Sequence, residues 1–197
     1  KDVVIESYGL LRNLTLEEGY DVSIYLWRND IWVAIKEGFK QVVSSLQSMH
    51  SATTEPKLDK KQIANHNQAK VLLFDYADNL ISLLVALTNN SDDILKEILN
   101  EDNLAIVFDL IMNFQQYGFS NIPTALQNTI LDLIYDFSSE SLDFIDALLK
   151  CEPILELVNA LRKETPVNEL TQVLIQGIML QLLEGNESVT LNVNECV

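Results

Sequence analysis

Apolar residues recur with helical spacing along nearly the whole chain, and one long apolar pattern recurs with them. With Leu14, Leu87 and Phe137 aligned, Leu10, Leu83 and Leu133 stand four residues earlier, and Leu11, Leu84 and Ile134 three earlier. Val22, Leu95 and Ile145 follow eight residues later, Leu26, Leu99 and Leu149 twelve later, and Ile31, Leu104 and Ile154 seventeen later. A weaker fourth copy registers on Leu182, with Ile175, Ile178 and Met179 behind it. Such stripes, broken at fixed places, describe amphipathic helices that each bury one face. Every copy therefore predicts a long, a short and a second long helix. In the first copy these are 2–16, 20–28 and 31–48; in the second, 67–88, 92–100 and 103–117. The third predicts 122–138, 141–150 and 153–163, and a helix over 167–184 begins the fourth.

The copies are 73, 50 and 45 residues apart. The first interval is long because residues 49–66, which include Pro56, form a polar insertion without apolar period. Without it the period falls near the ~40–47 residues of armadillo and HEAT units. The expectation is an all-α, armadillo/HEAT-type α-solenoid of about three and a half stacked repeats, one fragment over 1–197. Repeat 1 covers about 1–48, repeat 2 about 67–118, repeat 3 about 122–163 and a partial repeat 4 about 166–185, with a polar tail at 186–197. No single unit of this kind buries its apolar face alone; stacking makes the core. The boundaries have local causes. Ser91 and Ser141 precede acid-rich helix starts and suit N-caps. Pro153 and Pro166 can open helices, and Gly118 and Gly185 can close them.

Composition adds a charge problem. Asp and Glu number 29 against 13 Lys and Arg, for a net charge of −16, yet 48% of residues are hydrophobic. That apolar content excludes a disordered acidic tail. Six Gly and four Pro favour helices over a turn-rich β-sandwich. The acids are unevenly placed: residues 1–70 balance to zero, and residues 71–197 carry the whole −16. Phosphate-rich nucleic acid and anionic membranes are poor partners for such a chain, and a cationic protein is a good one. Cys151 and Cys196 are too few for a disulfide framework. The charge-free run Leu110 to Leu131 is interrupted by Asn113, Gln115, Gln116, Gly118 and Pro123 and does not read as a membrane span. No leader sequence stands at the start, and the opening Lys1-Asp2 reads as a piece of a longer chain.

In armadillo solenoids one long helix of each unit lines the inner groove, here the one that carries the registered apolar residue. Its inner positions lie one, five, eight and twelve residues before the registered apolar residue. They are Asn13, Gly9, Glu6 and Asp2 in the first copy, and Ala86, Ser82, Asn79 and Asp75 in the second. In the third they are Asp136, Asp132, Thr129 and Ala125. This ladder holds no Lys or Arg, and Glu6, Asn13, Asp75, Asn79, Asp132 and Asp136 are its candidate binding residues. It suits an extended basic peptide, held by charge and by amide hydrogen bonds; the alternative is an ordinary solvated helix face. Asn13 occupies the place of an armadillo groove asparagine. The tryptophans that nuclear-localisation-signal receptors place four residues earlier are replaced by Gly9, Ser82 and Asp132. Tyr20, Tyr25, Trp27, Trp32 and Phe39 cluster early and read as packing between units, or as an exposed anchor. Nothing suggests an enzyme, metal or cofactor. His50 and His66 lack partners at ligand spacing, Asp92-Asp93 and Glu101-Asp102 lack the calcium-loop pattern, and phosphate loops and nucleophile elbows are absent.

The stretch from Glu6, Glu-Ser-Tyr-Gly-Leu-Leu-Arg-Asn-Leu-Thr-Leu-Glu-Glu-Gly-Tyr-Asp-Val, continues through Tyr25-Leu26-Trp27-Arg28-Asn29-Asp30-Ile31. It resembles the symportin family of armadillo/HEAT proteins, to which HEAT repeat-containing protein 3 belongs. The close likeness covers 26 residues, and the looser repeat pattern covers most of the chain. The resemblance implies a non-catalytic transport adaptor and chaperone, found in cytoplasm and nucleus. It would hold the pair of basic large-subunit ribosomal proteins that bind 5S rRNA for co-import and ribosome assembly. A transportin-type karyopherin would bind outside this segment. The alternative is a general armadillo scaffold or peptide-binding module in signalling or chaperone regulation.

Overall fold

The computed structural model describes residues 2–52, 60–151, 155–156, 158–159 and 169–184, and every regular element among them is helical. In order these are α1 (Asp2–Glu18), α2 (Tyr20–Arg28), α3 (Ile31–Ala52), α4 (Lys60–Asn89), α5 (Asp92–Ile98) and α6 (Glu101–Tyr117). A 3-10 turn (Phe119–Asn121) precedes α7 (Thr124–Glu140), α8 (Leu142–Lys150) and α9 (Glu169–Glu184). The long-short-long order is that of an α-solenoid. The expected helix over 153–163 lies outside the described residues, apart from 155–156 and 158–159, which are helical. Pro153, Pro166, Gly185 and the tail also lie outside them.

Two compact units divide the chain, Lys1–Ile130 and Leu131–Val197, with the division inside α7. In the first unit α1 lies along α4, while α3 packs on both α4 and α6. Leu80, Ile81, Leu83, Leu84 and Leu87 of α4 are fully buried and form its centre. Gly38 lets α3 approach: a Cβ there would sit 2.6 Å from Leu80 and 2.8 Å from the Tyr76 hydroxyl. The stretch Ala64–Asn89 is long and apolar enough to cross a membrane, but 56% of its most apolar window is buried in the protein. Core packing accounts for that hydropathy. In the second unit Leu133, Ile134, Phe137, Phe144 and Leu148 are fully buried, with the Phe137 and Phe144 rings edge to face at 5.5 Å. Gly177 of α9 faces Tyr135, where a Cβ would lie 2.5 Å from the ring.

The expected caps form. Ser91 accepts from the Ile94 amide at 3.4 Å, and Ser141 from the Phe144 amide at 3.1 Å. Asn100, unremarked in the sequence, caps α6 through the Asn103 amide at 3.0 Å. Gly118 ends α6 with φ +101°, as a closing glycine should. Gly19 separates α1 from α2 at φ +60°.

Three features differ from the sequence reading. Residues 49–52 and 60–66, expected in the polar insertion, are helical. Lys, Gln and Ala have good intrinsic helix propensity, so a segment lacking apolar period still extends its neighbours; residues 53–59 lie outside the described residues. In the second and third copies the innermost residues of the short helices stand one place before the aligned ones, whereas in the first the buried residue is Ser23, one place after Val22. Ile94 and Ile98 are buried while Leu95 and Leu99 are half-buried, and Phe144 and Leu148 are buried alongside Ile145. In the first copy the shared template is partly solvent-facing: Leu10 is 60% exposed and Leu14 39%.

Candidate functional site

The inner ladder is built from long helices, and the first unit places α1 beside α4. Glu6 and Asn13 of α1 and Asp75 of α4 are exposed, and Asn79 is half-buried. Asn79 lies over Gly9, where a Cβ would be 3.2 Å from its Oδ1. The ladder thus juxtaposes Gly9 and Asn79. Among the described residues the side chains of Glu6 and Asp75 have no hydrogen-bond or ion-pair partner. The side chain of Asp2 lies outside the described residues.

Asn13 has an unforeseen neighbour. Its Oδ1 accepts from Arg12 Nε at 3.3 Å and from Nη2 at 3.2 Å. A cation therefore stands beside the otherwise anionic row, and it leaves the Asn13 amide N–H groups as the outward donors. Three further residues of the site escaped the sequence pattern. Asp78 accepts a 2.6 Å hydrogen bond from the ladder hydroxyl of Thr129, tying α4 to α7. The rings of Tyr8 and Tyr76 meet at 5.7 Å. Burial first, then the Tyr8 phenol and the Glu37 carboxylate, push the Tyr76 phenol up to about 12. Tyr8 is also raised, by burial. The only cue for these residues was adjacency: Asp78 precedes Asn79, Tyr76 follows Asp75 and Tyr8 precedes Gly9.

Beyond Thr129 along α7, Asp132 and Asp136 fall on the same helical face at three- and four-residue spacing. Both are half-buried. Burial raises the Asp132 carboxyl above its ordinary value, because desolvation disfavours the charged form.

Of the early aromatics, Trp27, Trp32 and Phe39 pack between helices, while Tyr20 and Tyr25 are exposed. Trp27 and Trp32 stack at 6.2 Å, and Phe39 meets Trp32 edge to face. Trp27 Nε1 donates to Glu97 Oε2 at 2.9 Å and Trp32 Nε1 to Asn103 Oδ1 at 2.9 Å. These bonds join α2 and α3 to α5 and α6. Asn90 makes a third stitch, donating from Nδ2 to the Thr15 carbonyl and the Ser23 hydroxyl, both at 3.0 Å. Among the described residues no three His, Cys, Asp or Glu side chains converge as a metal site.

Comparison with known proteins gives the chain a lineage. Synchronized import protein 1 of Saccharomyces cerevisiae is 51% identical over 185 residues, which cover 93% of this chain. The chain is similar to a symportin over nearly its whole length. The Armadillo repeat protein involved in nucleocytoplasmic transport Syo2, of Schizosaccharomyces pombe, is 25% identical over 144 residues, or 73% of the chain. The chain spans 30% of the first relative's length and 20% of the second's. No family model matches it, and no solved structure does. The likeness to a symportin extends far beyond the 26-residue stretch from Glu6 to Ile31, so the repeat core as a whole carries it.

Proposed function

We propose that this chain is the armadillo part of a non-catalytic import adaptor that shields basic cargo. The cargo in this reading is the pair of 5S rRNA-binding large-subunit ribosomal proteins, carried between cytoplasm and nucleus. A karyopherin of the transportin type would engage another part of the whole protein. The observation that carries the reading is the row Glu6, Asp75, Asp132 and Asp136, interleaved with the amides Asn13 and Asn79 and holding no Lys or Arg. The names of the two relatives, one an import protein and one involved in nucleocytoplasmic transport, support the transport role. Free rRNA-binding proteins expose clustered cations that seek any polyanion, and an acidic row competes for them. The amides supply what charge cannot, pairing with the backbone of an extended segment.

Fluorescence anisotropy of a labelled Lys/Arg-rich peptide tests the binding surface. Replacing Asp132 and Asp136 together by Lys is expected to weaken the peptide at least about tenfold and to flatten its salt dependence. Unchanged affinity in a folded double variant would overturn the assignment. Co-expression of the chain with the two ribosomal proteins tests the cargo. Their capture ahead of other, equally basic ribosomal proteins is the expected result, and indiscriminate capture of all of them would leave the cargo assignment wrong.

A further inference from the structure

A cavity of about 310 Å³ opens in the first unit where α1, α3 and α4 meet. Val4, Ile5, Met49, Leu72, Leu73 and the ring of Tyr76 give it apolar walls. Val4 is itself 50% exposed, so the cavity is an open notch rather than a sealed packing void. Well-packed interiors leave few voids larger than a water molecule, so an apolar notch of this size stands apart from ordinary packing. Its volume lies at the bottom of the range for small-molecule sites and accommodates one bulky side chain.

The charge around it indicates what kind of chain would bring that side chain. Glu6 follows Ile5 on α1, and Asp75 precedes Tyr76 on α4. Both acids are exposed and both belong to the inner row. Glu37 on α3 is close enough to act electrostatically on Tyr76, and Lys40 stands 3.9 Å from the Glu37 carboxylate in an exposed ion pair. An apolar notch with acids on all three of its helices is complementary to an apolar residue flanked by Lys or Arg.

We infer that this notch is an anchor pocket that receives one bulky aliphatic or aromatic side chain from a basic extended segment lying along the inner row. The inference rests on the adaptor reading and sharpens it. Charge attraction along a row of acids is long-ranged and tolerates sliding by a residue or two. A single side chain inserted in a fitted pocket does not tolerate sliding, so it fixes the register. The anchor therefore selects among basic segments that the acids alone would treat alike.

The test compares two labelled Lys/Arg-rich peptides that differ at one central position, Leu in one and Ser in the other. The Leu peptide is expected to bind about tenfold more tightly, and this advantage persists as salt rises while overall affinity falls. Ala69 is an exposed residue of the cavity wall. Ala69→Phe fills the notch and is expected to abolish the Leu advantage without changing the affinity of the Ser peptide. Ser45→Phe fills it from α3 with the same expected result, so the test survives the loss of either variant to misfolding, checked by circular dichroism. Equal affinities for the two peptides in the unaltered chain would overturn the anchor and leave the acidic row standing. A Leu advantage retained in both folded variants would also overturn it. If neither peptide binds, the adaptor reading falls, and the anchor with it.

Discussion

Asp132 shows how one residue's surroundings and its proposed task pull in opposite directions. Burial raises its carboxyl pKa, so in the folded chain the proton is held to higher pH than in the unfolded one. The folded state binds more protons than the unfolded state as pH falls through that window, and stability falls as pH rises through it. Above the raised value the ionised carboxylate therefore costs stability. Asp132→Asn is expected to raise the melting temperature at neutral pH, on the order of 2 °C. The effect is modest because the half-exposed side chain is partly screened by water. The gain should shrink as pH falls through the raised value and be gone by about pH 3, below the ordinary aspartate value, where the carboxyl is protonated in both folded and unfolded chains. Thermal melts of both proteins at the two pH values check this, and identical neutral-pH melts would refute it. A cationic ligand reverses the balance by favouring the carboxylate, so a residue costly to stability is well suited to binding.

At the scale of elements, the stitches between helices hold repeats in register. Asn90 sits at the end of α4, facing Thr15 and Ser23, both fully buried. Asn90→Ala would leave the Ser23 hydroxyl and the Thr15 carbonyl short of a partner, at a cost of about 1–3 kcal/mol. Urea unfolding measures it, and a loss well below that range would make the bond incidental. Much of this level was readable from residues. The spacing of Leu83, Leu84 and Leu87 against Leu133, Ile134 and Phe137 located the long helices, and the Ser91 and Ser141 caps located the short ones. The extension of α3 and α4 into 49–52 and 60–66 was not readable, because helix propensity without apolar period leaves no stripe to see. Nor was the displacement from Leu95 to Ile94: adjacent apolar residues straddle one inward face, and only packed neighbours decide which is innermost. Of the candidate site, the proposed row was read from register, and the structure brings its Gly9 against Asn79. Asp78, Arg12 and the Tyr8–Tyr76 pair were not legible in that register, since their roles arise from contacts across helices or with a neighbour on the same turn.

At the scale of the whole chain, stability is unevenly distributed. Leu80 through Leu87 lie in the most enclosed stretch of α4, whereas Val3, Val4, Leu10 and Leu14 of α1 retain solvent exposure. Hydrogen exchange follows local opening. Amides of residues 80–87 should therefore exchange slowest in the first unit, with α1 among its fastest helices. Equal protection of α1 and α4 would show that the unit opens only as a whole. The charge distribution belongs to this scale too. The basic residues are concentrated before residue 71 and the acids after it, so the balanced first repeat and the acidic remainder offer different electrostatic environments within one architecture.

The polar stitches also set a timetable for synthesis. Trp27 waits for Glu97, Trp32 for Asn103 and Thr15 for Asn90, partners 70, 71 and 75 residues further along. At ~5–20 residues per second, the nascent first repeat is unpartnered for several seconds before the second repeat is made. Throughout that interval its tryptophans have no interface to enter. A protein proposed to shield others on their way from synthesis thus emerges with its own first tryptophans uncovered, until the second repeat follows.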